Sequence, residues 1–283
     1  MRRGFLSELW SALKGTPLSL AGLFIIIALV ITAIVAPYVA PYDPIATAPL
    51  ERLKPPSRAH PLGTDQLGRD ILSRLLFGAQ ISLRIAGIVA LFAGVSGTII
   101  GLLCGYFGGI IDDLLMRITD IFMAFPQLIL AMAISSALGP SLENVIIAIS
   151  MTEWTVFARV ARSRAVAIRE ETYVEAARAV GAGRWRILFR HVLPLSLSPI
   201  IVQLSLEMGG IIRTAASLGF LGLGAQPPTP EWGVMVTDGR RYLPGQWWVS
   251  TFPGLAIFFT VLGFNLLGDG IRDVLDPRLR RGR

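Results

Sequence analysis

Ile85 to Ile111 reads IAGIVALFAGVSGTIIGLLCGYFGGII, without a single charged side chain. The run is longer than the roughly 20 apolar residues that carry a helix across about 30 Å of hydrocarbon. In lipid a helix satisfies its backbone groups internally, so this stretch predicts a transmembrane helix. Three further runs have the same character: Gly15 to Tyr42, Ile121 to Leu142 and Leu243 to Gly268. Two weaker ones carry charges. Asn144 to Phe157 is interrupted by Glu153, and Leu195 to Gly224 by Glu207 and Arg213. Together they predict an all-α membrane protein with about six transmembrane helices. Composition agrees: mean hydropathy is +0.62 and only 16% of residues are charged, low for a soluble protein.

The first run is too long for the apolar region of a signal peptide and is expected to remain as a span. The one cysteine, Cys104, lies inside an apolar run and reads as a small packing residue. The net charge of +7 could suggest nucleic acid, but its distribution points to a lipid bilayer instead. With a cytoplasmic N-terminus and six helices, the inner segments hold Arg2, Arg3, Lys14, Arg117, the arginines between Arg159 and Arg190, and the arginine-rich tail from Arg272. The outer segments hold fewer basic residues, which predicts that both termini are cytoplasmic.

The connections divide the chain into residues 1–80, an N-terminal segment with the first span and an outer loop, and residues 81–283, a five-span core. Met1 to Lys14 reads as an interfacial helix, and Asp70 as the cap of a helix using Ile71, Leu72, Leu75 and Leu76. Gly97, Gly101, Gly105 and Gly109 recur every four residues and predict a close helix contact, within this chain or with a partner. Asp112 to Asp120 reads as a turn, Pro126 as a bend in the third span, and Arg159 as the end of the fourth. Glu153, Glu207 and Arg213 are ionisable groups at membrane depth. Such groups must face protein or water, so they are candidates to line a polar path, or else sit near the interface or form structural pairs.

Several chemistries are excluded. The two lysines, Lys14 and Lys54, are not in a Gly-Lys-Ser/Thr step, so there is no P-loop. His60 and His191 fall on different predicted sides of the membrane, and no Cys/His cluster or G-x-S-x-G elbow exists. No catalytic residue, metal or cofactor is expected.

ETYVEAARAVGAGRWRILFRHVLP, Glu171 to Pro194, looks like a soluble helix pair inserted among the spans. Thr172 is read as an N-cap, with Glu175 completing a capping box. Gly181-Ala182-Gly183 stops the first helix, and a second covers Arg184 to His191 and ends at Pro194. Small Ala176 and Ala177, with Arg178, Arg184, Arg186 and Arg190, suit a docking knob for a soluble partner.

This segment resembles the EAA loop of ABC importer permeases: Glu175-Ala176-Ala177, then Gly181, then His191-Val192-Leu193-Pro194, with His191 where the pattern has Ile. HPLGTDQLGRDILSRLLFGAQISL, FLGLGAQPPTPEWG and FNLLGDGIRDVLDPRLR are similar to segments of the dipeptide/oligopeptide/nickel branch. APYDP after the first span resembles its second permease subunit. The resemblance implies a pore shared with a second homologous permease subunit. It implies two cytoplasmic ATP-binding subunits on the EAA loops and an extracytoplasmic substrate-binding protein. ATPase coupling would fall to Glu175, Ala176, Ala177, Arg178, Gly181, Arg184, His191 and Pro194. Gly219 to Val234, with Phe220, Pro227, Pro228 and Trp232, is expected to fold back as an outer gating loop. The competing reading is a stand-alone secondary transporter or channel, for which Pro126 and Glu153 are weak hints and internal repeats are absent.

Overall fold

The computed structural model describes residues 17–275. Its helices are α1 (Pro17–Val39), α2 (Ile71–Phe107), α3 (Gly109–Met123), α4 (Gln127–Leu138), α5 (Leu142–Arg169), α6 (Thr172–Ala179), α7 (Arg184–Ile187), α8 (Leu193–Phe220), α9 (Trp232–Gly239) and α10 (Trp248–Leu275). A single π-helical turn, Leu188–Val192, joins α7 to α8. Among the described residues there is no strand, only an isolated bridge between Thr64 and Asp70. Five helical runs are long and apolar enough to cross a membrane. The bent pair α3 and α4, at 90° to each other, makes a sixth if counted as one span. The interfacial helix expected over Met1 to Lys14, and the tail beyond residue 275, lie outside the described residues.

The main axis of the fold is the packing of α2 on α5. It is made by removing side chains. A Cβ added at Gly97 would collide with the Trp154 carbonyl and stand 2.7 Å from Phe157 Cβ. One at Gly101 would collide with the Ala158 carbonyl, and one at Gly105 would stand 2.7 Å from Ala165 Cβ. Facing them, Ala158, Ala161 and Ala165 are fully buried. Small residues on both sides bring the backbones together, so dispersion contacts accumulate along the whole seam. The glycine stripe is thus a contact within the chain. Gly109 does not belong to it: it opens α3 at φ +64 with nothing near its missing side chain. The helix α8 lies against both partners of the seam, α10 packs on α8 and α1, and α9 is wedged against α8 and α10.

Several element boundaries differ from those read in the sequence. The helix expected after Asp70 is the start of α2 itself, capped by the Asp70 carboxylate, which accepts from Ser73 N–H at 2.8 Å. Arg74 and Arg84 therefore lie inside this helix. Arg74 is buried and donates to the Pro44 carbonyl at 2.9 Å and the Pro228 carbonyl at 3.3 Å. Asp112 to Asp120 is helical, not a turn. The helix α5 runs on to Arg169, well past Arg159, because its arginines find acids on α3. Arg162 forms a two-pronged pair with Asp112, and Arg159 pairs with Asp120 at 2.6 Å. The bend expected at Pro126 is present between α3 and α4.

The seam is testable. In Gly101→Val the new side chain meets a backbone carbonyl that cannot rotate away, a case where overpacking costs typically about 1–3 kcal/mol or more. The purified protein should melt at lower temperature and give less monodisperse material. Gly87→Ala, where a Cβ meets nothing within 4 Å, should match the wild type. Equal melting temperatures for the two variants would show that the α2–α5 approach is not the limiting contact.

Candidate functional site

The inserted helix pair is built on a buried apolar base. Val174, Ile187, Leu188 and Val192 are buried and pack with Leu102, Tyr106, Ala165 and Ile168 at the ends of α2 and α5. Gly181 has φ +84, the left-handed region where glycine carries no Cβ penalty. Around it Gly181 N–H bonds to the Arg178 carbonyl at 2.9 Å and Ala182 N–H to the Ala177 carbonyl at 3.0 Å. These are the paired bonds of a left-handed helix C-cap, and Ala177 and Ala182 both pack on the apolar base below. Arg178 stands 6.0 Å over the Tyr106 ring, and Phe107 meets Trp185 edge-on at 5.2 Å.

Above this base, Glu175, Ala176, Arg178, Gly181, Arg184 and Pro194 are exposed, while Ala177 and His191 are half-buried. Trp185 and Phe189 stack with centroids 6.0 Å apart and are also exposed. Two details correct the sequence reading. The N-cap is Glu171 rather than Thr172, and no side chain bonds there, so Glu175 completes no capping box. Pro194 does not end the second helix. The helix continues through the π turn into α8, and the Arg190 carbonyl that Pro194 cannot pair falls within that wider turn. The apolar anchors were missed in the sequence, although Ile187, Leu188 and Val192 have the spacing of a buried helix face.

A second group of residues meets inside the bundle. Glu153, on α5, is 1% exposed. Gln127, the first residue of α4, and Glu207 and Arg213 on α8 lie close enough to act on its carboxyl. Gln203 donates to Glu207 at 2.7 Å. The three ionisable residues read separately from the sequence thus belong to one neighbourhood. Arg213 is exposed and also borders a cavity of about 370 Å³ with Phe220, Gly233 and Ile257.

The third region is Gly219 to Val234. Pro227 and Pro228 are exposed at its tip, Phe220 is partly exposed, and Trp232 is buried against Gly78, its indole N–H donating to the Leu75 carbonyl at 3.1 Å. The Glu231 carboxylate caps α9, accepting from Gly233 and Val234 N–H, each at 2.8 Å. The preceding loop, residues 40–70, is tied to the same place. Arg69 bonds Asp65 at 2.6 Å and reaches Asp238 of α9 at 3.6 Å. His60 lies 2.9 Å from Asp70 and 3.6 Å from Glu51. The pairings of His60 with Glu51 and of Arg69 with Asp238 have no signal in the sequence, because the partners lie in separate segments.

Burial raises the Glu231 carboxyl to about 7, outweighing the two N–H bonds that favour its ionised form. Its ordinary value is 4.5. Between these values the folded loop holds a proton that the opened loop would release, so the loop loses stability as pH rises through about 4.5 to 7. Hydrogen exchange in residues 219–234, corrected for intrinsic rate, should therefore accelerate across this window. Glu231→Gln should remove the pH dependence; parallel profiles for the two proteins would count against it.

Comparison with known proteins places these features in a family. Residues 97–281 match the model for "Binding-protein-dependent transport system inner membrane component". Residues 4–56 match that for the "N-terminal TM domain of oligopeptide transport permease C". The chain is 48% identical over 266 residues to a probable D,D-dipeptide transport system permease protein, DdpC, of Escherichia coli (strain K12), covering 94% of this chain and 89% of the relative. It is 46% identical over 273 residues to a dipeptide transport system permease protein, DppC, of Alkalihalophilus pseudofirmus, covering 96% and 90%. It is 49% identical over 262 residues to a glutathione transport system permease protein, GsiD, of Pectobacterium atrosepticum, covering 92% and 86%. With its multi-pass bundle and inserted helix pair, the chain belongs to the inner-membrane permease components of binding-protein-dependent ABC transport systems.

Proposed function

We propose that this chain forms half of the translocation path of an ATP-driven importer of small peptides. The relatives named for dipeptides, D,D-dipeptides and glutathione support the substrate class over nickel. The observation that carries the mechanism is the closed, apolar-based helix pair of residues 171–194. A second homologous permease subunit completes the path, two cytoplasmic ATP-binding subunits dock on the two helix pairs, and an extracytoplasmic protein delivers the peptide. In this reading residues 1–80 form an N-terminal segment and residues 81–283 the permease core. Glu175, Ala176, Ala177, Arg178, Gly181, Arg184, His191 and Pro194 form the coupling surface. Glu153, Glu207 and Arg213 border the path. Phe220, Pro227, Pro228 and Trp232 belong to the outer gate.

Energy reaches the path as a rigid-body push. The exposed face of α6 offers small Ala176 and charged Glu175 and Arg178 to a soluble subunit, while Val174 holds the helix to α2 and α5. A lever of this kind must not yield, because an interface switches between packings only if displacement is not absorbed locally. The two-bond cap at Gly181 supplies that stiffness. A Cβ at Gly181 meets nothing within 4 Å, so Gly181→Val acts through the backbone alone. It costs at least about 1 kcal/mol locally and redirects α7. In the reconstituted transporter the spans should stay inserted while peptide uptake falls and the ATPase subunits dissociate or hydrolyse ATP without transport. Normal uptake with a stable complex would remove the helix pair from the coupling role.

Orientation follows from the same reading, with both termini and residues 171–194 cytoplasmic. Ser57→Cys and Arg184→Cys place probes at exposed positions of the two opposite ends, and native Cys104 is buried. An impermeant maleimide added outside should label the first and spare the second. The reverse pattern would invert the topology.

A further inference from the structure

The group around Glu153 has an imbalance that the fold does not resolve. Two carboxylates, Glu153 and Glu207, act on one another inside an apolar bundle, with Arg213 as the one guanidinium acting on Glu153 alongside them. Glu153 is 1% exposed, and its Oε2 has no hydrogen-bond partner. A buried acceptor without a donor is costly, and more so when charged. Other acids among the described residues are closed: Arg162 grips Asp112 with two nitrogens, and Glu231 has two N–H donors. Glu153 is left open.

The surroundings say what would close it. Gln127 engages Glu153 and Gln203 engages Glu207. Each amide also brings a carbonyl oxygen, so acceptors predominate around the carboxylates. A group with several N–H donors and one positive charge suits this set. Among the described residues no group of three His, Cys, Asp or Glu is placed to hold a metal ion, whereas an ammonium needs only acceptor oxygens, which this set supplies. Position agrees as well. Gln127 stands at the break between α3 and α4, and Glu207, partly exposed, lies on the helix that continues directly from the coupling pair. Irregular backbone and open charge at membrane depth are expected where a polar solute passes.

We propose that Glu153 and Glu207, with Gln127 and Gln203, form a transit site for the protonated amino terminus of the peptide. The inference rests on the peptide reading given above. At this site the ammonium donates to Glu153 Oε2 and to the Glu207 carboxyl group, supplying the donors that the fold leaves out. Arg213 stays available to the peptide carboxylate, so the two ends of a short peptide are held by opposite charges.

The test uses the complete transporter, both permease chains with the ATPase subunits, in two arms. In the first arm the binding protein is omitted. A photoreactive p-azidophenylalanyl-alanine labels the permease, with alanyl-alanine or N-acetyl-alanyl-alanine as competitor. Labelling should map to peptides spanning residues 127–213, and only the free-amine competitor should abolish it. Equal competition by the acetylated dipeptide overturns the site without any mutation. In the second arm the binding protein is restored and uptake of radiolabelled alanyl-alanine is followed into proteoliposomes. Glu153→Gln and Glu207→Gln should each lower uptake about tenfold or more, the scale of a lost charge-assisted hydrogen bond. ATPase stimulation by the loaded binding protein should persist, and Glu207→Asp should recover part of the uptake. Unchanged uptake in both Gln variants overturns the site, as does a loss of ATPase stimulation equal to the loss of uptake. A wild-type complex that imports no dipeptide at all would instead overturn the peptide reading.

Discussion

The fold depends on how closely the backbones of α2 and α5 approach. In lipid there is little hydrophobic gain from pressing one helix on another, so association relies on contact area and fit. Gly97, Gly101 and Gly105 against Ala158, Ala161 and Ala165 supply that fit over three helical turns. The consequence is geometric as well as energetic. The Phe107 end of α2 and the Arg169 end of α5 come together tightly enough to make one floor, and Val174, Ile187, Leu188 and Val192 sit on it. Without the small-residue seam, the inserted helix pair would have no common base and could not move as a unit with the bundle.

At the opposite end the constraint is charge. Arg74 lies inside α2 and is buried, a costly placement unless its donors are used. They are used by the Pro44 and Pro228 carbonyls, from segments 30 and 154 residues away. One guanidinium thus pins the loop of residues 40–70 and the proline-rich turn to the start of α2. Arg69 extends the same hold to Asp238 on α9. Truncating Arg69 would take a donor from the buried Asp65 carboxylate, and truncating Arg74 would release both carbonyls, so this end is held by charged hydrogen bonds, whereas the seam below it is held by packing.

These two constraints also explain what could be read in advance. Gly181 and Asp70 were legible because their roles are local: a positive φ and a cap depend on neighbours in sequence. Three of the four charge-free runs marked single spans for the same reason, while Ile121 to Leu142 crosses the 90° break between α3 and α4. Boundaries were not legible, because a hydropathy run stops at a charge while a helix stops only where its backbone loses partners. Arg159 and Arg162 look like an end, but Asp120 and Asp112 on another helix neutralise them and α5 continues. Thr172 looks like a cap, but the turn at Glu170 places Glu171 in extended conformation and makes it the first residue outside α6. The roles of Glu153, Glu207 and Arg213 were legible one at a time, as charges out of place. Their proximity was not, since Glu207 and Arg213 are six apart on one helix and come near Glu153 only through the α5–α8 packing.

The continuity of the helical run from Arg184 to Phe220 gives these pieces a mechanical relation. It leaves the coupling pair, passes through the π turn, and at about 1.5 Å per residue extends roughly 55 Å to the proline-rich loop. On the way it carries Gln203, Glu207 and Arg213. The π turn lies between the knob and the polar group, where an extra carbonyl lets the helix re-register without breaking. In the proposed importer, a push on α6 and α7 is therefore delivered along one covalent rod to the polar group and then to Gly219, against which the Glu231 carboxylate is packed. No separate relay of side chains is required. The same rod explains why a histidine-containing, proline-containing segment is tolerated at its base. Pro194 removes one backbone bond, and the wider turn beneath it takes up that loss so that the rod continues without a break.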